Sequence, residues 1–224
     1  MKPTYGHFCP AARSLETLGD RWSLLIVRDL LTGPRRFSDL QRLLTNVTAK
    51  WLTIRLRQLE SDGIVTRDDQ PGRREVWYEL TDKGRDLAPV LTALMGWGLK
   101  YERHPPAPDE SVHPEHLVAG LMVALNQAAP KQLRPQTWRF ELNGAEALGS
   151  LAFDGQTWAL VSGDSPADVV IKTTPRAWAD FVTRPPARRR LPTRDILVSG
   201  RPDRVADFLA TFGATPADRP GSRR

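Results

Sequence analysis

The sequence predicts an α+β protein of two domains: a mostly helical domain closed by a β-hairpin, then an α+β domain with an antiparallel sheet. Three observations predict it. Apolar residues recur at helical spacing through roughly the first hundred residues. That period gives way to alternation at "IVTRDDQPGRREVWYEL", two strand-like runs around "DDQPGRR". A stretch dense in proline and charge, "ERHPPAPDESVHPE" (102–115), then separates this grammar from a different one downstream. The expected domains are 1–104 and 115–214, with "TPADRPGSRR" (215–224) as a disordered tail.

Each element of the first domain has its own start and stop. "CPAARSLETLG" places a proline at a helix-compatible position and ends at Gly19. "DRWSLLIVRDLLTG" takes Asp20 as its N-cap and closes at Gly33. "FSDLQRLL" reads as a short helix capped by Ser38, with Leu40, Leu43 and Leu44 at helical spacing. "TAKWLTIRLRQLESDG" is capped by Thr48 and stopped by Gly63. After the hairpin, in which Val76, Tyr78 and Leu80 alternate, Thr81 caps one long final helix, "DKGRDLAPVLTALMGWGLKYER".

A short helix, a turn, a longer basic helix and a basic-tipped hairpin make the layout of a winged helix-turn-helix. In that layout the second helix of the pair enters the major groove and the wing touches adjacent backbone. At about 100° per residue, Leu52, Leu56 and Leu59 share a narrow arc, the buried stripe of the basic helix. The opposite face collects Lys50, Ile54, Arg57 and Gln58, with Trp51 and Arg55 on its flanks. Lys and Arg match guanine edges or phosphates, Gln matches adenine, and Ile54 suits a thymine methyl. Arg35, Arg36 and Ser38 before the helix, Thr48 at its start, and Arg67, Arg73 and Arg74 in the hairpin complete the expected DNA contacts, the arginines neutralising phosphate. Charge concentrates here: residues 33–57 hold six basic side chains against one acid, in a chain of formal net charge +6. A plain solvated face is the competing reading, and Trp51 and Ile54 weigh against it.

Cys-Pro, Gly-x-x-Trp, Arg-Phe-x-x-Leu, Leu-x-x-Arg-Leu-x-x-Leu, Tyr-x-Leu-Thr-x-x-Gly and a terminal Trp-Gly occur in order between residues 9 and 98. Over this span the sequence resembles the HxlR family of bacterial winged-helix transcription regulators, relatives of the MarR group. The resemblance implies a homodimer joined by the N- and C-terminal helices of the domain, bound to a roughly palindromic operator in double-stranded DNA. The sequence departs from the family at Trp51, where small or polar residues are usual, and at Ile54, where a polar one is usual. Cys9 matches the family's N-terminal cysteine, which some members use to sense electrophiles or oxidants. A helix N-terminus favours thiolate and so supports redox sensing; the plainer reading is a small residue packed at the dimer interface.

The second domain opens with an apolar helix, "PEHLVAGLMVALNQAAP". "WRFELNG" and "GSLAFDGQTWALVSG" alternate as strands, the latter turning at Asp154-Gly155. "ADVVIKTTPRAWADFVT" and "DILVSGRPDRVADFLATFG" each read as strand then helix, so helices cover one face of an antiparallel sheet. Through these runs the domain looks like a sterol-carrier-protein-like domain. The likeness implies an apolar cavity for a hydrophobic small-molecule effector, lined by Trp138, Phe140, Trp158, Val170, Trp178 and Phe181. The same residues read equally well as packing alone. The basic run "RPPARRRLP" (184–192) is expected as a solvated loop.

Composition bounds the rest. With 40% hydrophobic and 26% charged residues the chain has the make-up of a soluble globular protein. Its longest apolar run, "LVAGLMVAL" (117–125), is far below the roughly 20 residues of a membrane span. No signal-peptide core opens the chain and it holds one cysteine, so a cytoplasmic location is expected. Nucleophile-elbow, zinc-protease, P-loop and dinucleotide-binding signatures are missing, so neither an enzyme nor a cofactor is expected. His104, His113 and His116, with Glu115, stand in the proline-rich linker without a cysteine and read as exposed residues rather than metal ligands. The alternative function is a carrier or sensor of lipids or other hydrophobic ligands, with the first domain serving mainly to dimerise.

Overall fold

Leucines and isoleucines at helical spacing draw the first part of the chain around one core. The computed structural model describes residues 4–69, 75–128, 133–142, 150–161 and 165–217, and the chain divides into two units, Met1–Leu94 and Met95–Arg224. The division falls inside a helix, upstream of the proline-rich segment expected to mark it.

In the first unit α1 (Pro10–Leu18), α2 (Ser23–Leu30), β1 (Arg35–Arg36), α3 (Phe37–Leu43) and α4 (Ala49–Ser61) are followed by β2 (Val65–Asp68), β3 (Trp77–Leu80), α5 (Asp82–Arg85) and α6 (Ala88–Tyr101). Ile26, Val27 and Leu30 of α2, Leu40 of α3, Leu52, Leu56 and Leu59 of α4, and Ile64, Val65, Leu80 and Leu91 form one buried cluster. Each such side chain taken from water contributes about 1.5–3 kcal/mol, so the three α4 leucines alone fix which way that helix faces.

The punctuation of α4 follows the sequence closely. Thr48 Oγ1 accepts the Trp51 N–H at 3.3 Å. At the other end the Ile64 N–H reaches Leu59 O (2.9 Å) and the Gly63 N–H reaches Glu60 O (3.0 Å), with Gly63 at φ +68°. This is a Schellman ending, closed by the buried pair Leu59 and Ile64. Thr81 Oγ1 donates to Gly63 O (2.7 Å) and accepts the Gly84 N–H (3.1 Å). A Cβ on Gly84 would collide with the Ile64 carbonyl, so this crossing demands a glycine.

Three expectations fail here. Asp20 is not the cap of α2, whose capping position is held by Trp22. Ser38 is not the cap of α3: it is the second helical residue, Arg36 holds the capping position, and the Arg36 N–H donates to Asp39 Oδ2 at 3.2 Å. The final helix is not continuous but breaks between Arg85 and Ala88. Pro89 has no N–H to donate to the preceding turn, which suits it to the start of α6 rather than to the middle of one helix.

The second unit comprises α7 (Pro114–Gln127), β4 (Gln136–Leu142), β5 (Ser150–Phe153), β6 (Trp158–Val161), β7 (Val169–Thr173), α8 (Pro175–Thr183), a 3-10 turn (Pro186–Arg188), β8 (Arg190–Leu191), β9 (Ile196–Gly200), α9 (Pro202–Thr211) and β10 (Thr215–Pro216). Its main sheet runs β6-β5-β4-β7-β9. The β5–β6 hairpin turns at Asp154-Gly155 as expected, with Asp154 Oδ1 accepting the N–H groups of Gln156 (2.7 Å) and Thr157 (2.8 Å). The sheet is mixed rather than antiparallel, because β4 and β7 pair in parallel. The β4-β5-β6 meander grows to one side of β4, and β7 lies on the other, entered by a return from β6. Gln136, Trp138, Phe140 and Leu142 alternate inward along β4, and Asn126 of α7 brackets edge residue Trp158, donating to its carbonyl (3.0 Å) and accepting its N–H (2.8 Å).

Segments expected to be loose are tied down. Arg176 of α8 donates to the carbonyls of Pro106, Ala107, Pro108 and Glu110, holding the proline-rich stretch within this unit. The basic run is not merely solvated: Arg189 is buried and donates to Arg184 O (2.9 Å), Phe212 O (2.7 Å) and Val182 O (2.8 Å), burial lowering its pKa. The expected tail is paired at its start, where β10 lies parallel to β8. His113 caps α7 and His116 lies in its first turn, both half-buried, while His104 is exposed. Among the described residues no helix is long and apolar enough to cross a membrane, and no group of three or more His, Cys, Asp or Glu is set to hold a metal.

Candidate nucleic-acid interface

The outward face of α4 is the centre of the candidate site. With Leu52, Leu56 and Leu59 buried, Lys50, Ile54 and Arg57 stand exposed along the opposite stripe. Trp51 beside them is 55% exposed and Ile54 46%, an unusual amount of apolar surface to leave in water on one helix face.

Arg55, expected on the flank, and Gln58, expected on the outward face, have other engagements. Arg55 Nη2 pairs with Asp20 Oδ2 at 2.9 Å, the two side chains being only 18% and 23% exposed. Asp20 also accepts the Trp22 N–H at 2.8 Å, so Arg55 ties α4 to the start of α2 and is withdrawn from the outward stripe. The sequence placed Asp20 as a cap and missed this partner; the signal was Arg55's position, off the arc of Lys50 and Arg57. Gln58 is half-buried and donates to Asp62 Oδ2 at 3.2 Å.

Beside α4 the wing forms a three-stranded sheet in the order β1-β3-β2. Arg35 and Arg36, expected in a turn, instead make the edge strand β1, opposite Tyr78 and Trp77. Arg35 donates to Thr32 Oγ1 (2.8 Å). Arg36 pairs with Glu75 Oε2 (2.5 Å) and stacks on Trp77, 4.7 Å from the ring centroid. Arg67 pairs with Asp69 at 3.4 Å. These pairs are surface-exposed, so each contributes little to folding and leaves its arginine able to turn to another anion. Burial holds the Tyr78 phenol above its usual pKa, against the smaller opposing fields of Arg67 and Arg57; both cations therefore lie near one phenol. Ser38 and Thr48 are exposed. Arg73 and Arg74, expected at the wing tip, lie outside the described residues.

Cys9 is exposed and sits at the capping position of α1. The six residues expected to line a cavity in the second unit do not share one. Trp138, Phe140, Trp158, Trp178 and Phe181 are at most 2% exposed. They pack ring on ring, Trp138 to Trp158 at 4.2 Å, Phe140 to Trp178 at 5.1 Å and Trp178 to Phe181 at 5.3 Å between centroids. Val170 is only half-buried, between the buried Val169 and Ile171, so the strand's alternation sends it to the other face of the sheet.

The comparisons with known proteins concern the part of the chain that holds this interface. The family model described as HxlR-like helix-turn-helix matches residues 17–105. An uncharacterized HTH-type transcriptional regulator of Synechocystis is 43% identical over 90 residues, 40% of this chain and 67% of the relative. YvaP of Bacillus subtilis, also an uncharacterized HTH-type transcriptional regulator, is 40% identical over 97 residues, 42% of this chain and 88% of its own length. Among solved structures, PA1607, a putative transcription factor, shares 40% identity at a TM-score of 0.41, covering 47% of this chain and 72% of that one. The chain belongs to the HxlR-like helix-turn-helix family.

Proposed function

We propose that the protein is a DNA-binding transcriptional regulator that binds a palindromic operator as a homodimer. α4 enters the major groove and the β1-β3-β2 wing lies along the adjacent backbone. The observation that carries this reading is the division of α4 into a buried leucine stripe and an exposed stripe of Lys50, Ile54 and Arg57. Lys50 and Arg57 alone would suit a solvated face; exposed Ile54 and Trp51 beside them do not. Lys50 and Arg57 address guanine edges or phosphates and Ile54 a thymine methyl; Arg35, Arg36, Arg67 and the hairpin arginines Arg73 and Arg74 neutralise phosphate.

Dimerisation is inferred from two helices that pack on the core through Leu18 and Leu91 yet leave other large apolar side chains exposed among the described residues. α1 contributes no residue to the buried core and carries Leu15 exposed, with Phe8 93% exposed just before it. α6 exposes Val90, Leu94, Trp97 and Tyr101, a spacing of four, three and four residues that makes one continuous stripe. In such a dimer Cys9 lies in the seam. Selection of bound fragments from genomic DNA, followed by binding measurements on the recovered site, tests the reading; absence of any site bound more tightly than bulk DNA overturns it.

A further inference from the structure

The described residues of the second unit line an open groove of about 420 Å³ that none of the foregoing uses. Its walls come from the last turn of α6 with the residues after it, the proline-rich stretch, the start of α7, and α8. The apolar lining is Leu99, Pro106, Val112, Leu117, Ala179 and Val182. The polar lining includes three of the chain's four histidines, His104, His113 and His116. The volume lies within the range of small-molecule sites, and a largely apolar wall with a few convergent polar groups is their usual make-up.

We propose that this groove is an effector site for a small, uncharged aromatic molecule bearing a hydroxyl. Three features select that chemistry. The wall is built rather than incidental, because Arg176 holds the Pro106, Ala107, Pro108 and Glu110 carbonyls, and Glu110 Oε2 accepts the Ala107 N–H at 3.0 Å. Charge in the lining is of mixed sign: Arg103 stands among the lining residues with Glu102 and Glu110. A ligand of one charge sign would meet a like charge in that lining as well as an opposite one. Finally, His104 Nδ1 lies 3.1 Å from the Pro105 carbonyl, which can only accept. In the neutral ring that contact puts the proton on Nδ1 and leaves Nε2 as an acceptor for a ligand hydroxyl. His113 and His116, edge to face at 5.2 Å, and the aliphatic wall offer surfaces for a flat ring.

The effector role rests on the proposed regulatory function. α6 carries both part of this groove and the apolar stripe assigned to the dimer, so an occupant contacts the helix that sets the spacing of two DNA-reading heads. Gly98 provides the filling variant, since it lines the groove and a Cβ there meets nothing within 4 Å, so a large side chain adds bulk at the wall without a clash at its Cβ.

Calorimetric titration of the full chain with naphthol, naphthoate and naphthylmethylammonium tests the site without DNA. Naphthol is expected to bind, with the two charged analogues weaker by about tenfold or more. Binding should be lost in Gly98→Phe and, independently, in Ser111→Phe, and weakened about tenfold in His104→Leu. Naphthol binding that survives both filling variants, naphthoate binding as tightly as naphthol, or no heat up to about 1 mM naphthol overturns the site. Operator affinity measured with and without naphthol then tests the effector role: a change in the unaltered chain that disappears in Gly98→Phe is expected. Naphthol binding that leaves operator affinity unmoved overturns that role. A chain that binds naphthol but no DNA overturns the regulatory reading and leaves the groove standing.

Discussion

Arg57 and Arg55 lie two positions apart on α4, and replacing each by alanine should produce opposite phenotypes. Arg57 is exposed on the outward stripe, so Arg57→Ala should change stability by no more than about 0.5 kcal/mol. If its guanidinium reads a base, operator affinity falls by about 1–3 kcal/mol, roughly 5- to 150-fold. If it meets a phosphate, the loss is sequence-independent and the slope of log K against log salt drops by about one. Arg55 is paired with Asp20 at 2.9 Å and mostly withdrawn from water. Its removal strands a partly buried carboxylate, an effect between the about 0–1 kcal/mol of an exposed pair and the about 3–5 kcal/mol of a fully buried one. About 1–3 kcal/mol is therefore expected, and each kcal/mol lowers the melting midpoint of a domain this size by about 4–8 °C. Thermal or urea unfolding reads the first quantity and fluorescence anisotropy over a salt series reads the second. An Arg57→Ala variant whose operator affinity stays within about twofold at every salt concentration would refute the assignment of the outward face. So would an Arg55→Ala variant that loses DNA binding while keeping full stability.

Three further outcomes follow from other contacts. Leu56→Ala should cost about 2–5 kcal/mol, since the side chain is 2% exposed among packed neighbours; urea unfolding with an unchanged midpoint would remove α4 from the core. Trp97→Glu should shift the sedimentation coefficient from dimer towards monomer by burying a charge in the α6 stripe, and a dimer of unaltered stability places the seam elsewhere. Cys9→Ser should leave operator binding within about twofold under reducing conditions, as expected of a small packed residue; diamide sensitivity present in the parent and absent from this variant would instead mark the thiol as a switch.

The helices were legible because their determinants are local. Thr48, Gly63 and the leucine spacing settle the position and facing of α4 without reference to the rest of the chain. The break before α6 was legible too, in Pro89, although a continuous helical pattern outweighed it. What could not be read depends on residues distant in sequence. Asp20 and Arg55 meet across 35 positions only once α2 and α4 pack, and a two-residue edge strand such as β1 exists only because β3 offers it a ladder. Likewise the parallel β4–β7 pair is decided by where the chain returns after β6, which alternation along a strand cannot encode. The aromatic residues of the second unit show the same limit from another side. An inward-facing aromatic has the same period whether it lines a cavity or fills it, and ring contacts such as the 4.2 Å between Trp138 and Trp158 show that these fill it.

Two sets of large apolar side chains left in water, on α6 and on α4, differ in kind, and the difference bears on what each meets. The α6 set is mostly apolar and continuous over about three turns, with Trp97 and Tyr101 already in ring contact at 5.4 Å. A surface of that kind is satisfied by another apolar surface, which a second copy of the same helix supplies. Ile54 and Trp51 are instead embedded between Lys50 and Arg57. Burying them against a second protein would strand both cations unless acids faced them. A DNA groove resolves that conflict in one step, because phosphates and guanine edges take the cations while base methyls and sugar faces take the apolar groups. The mixture that makes α4 a poor packing face suits the reading face proposed for it, and Trp51, 55% exposed beside Lys50, belongs to that mixture.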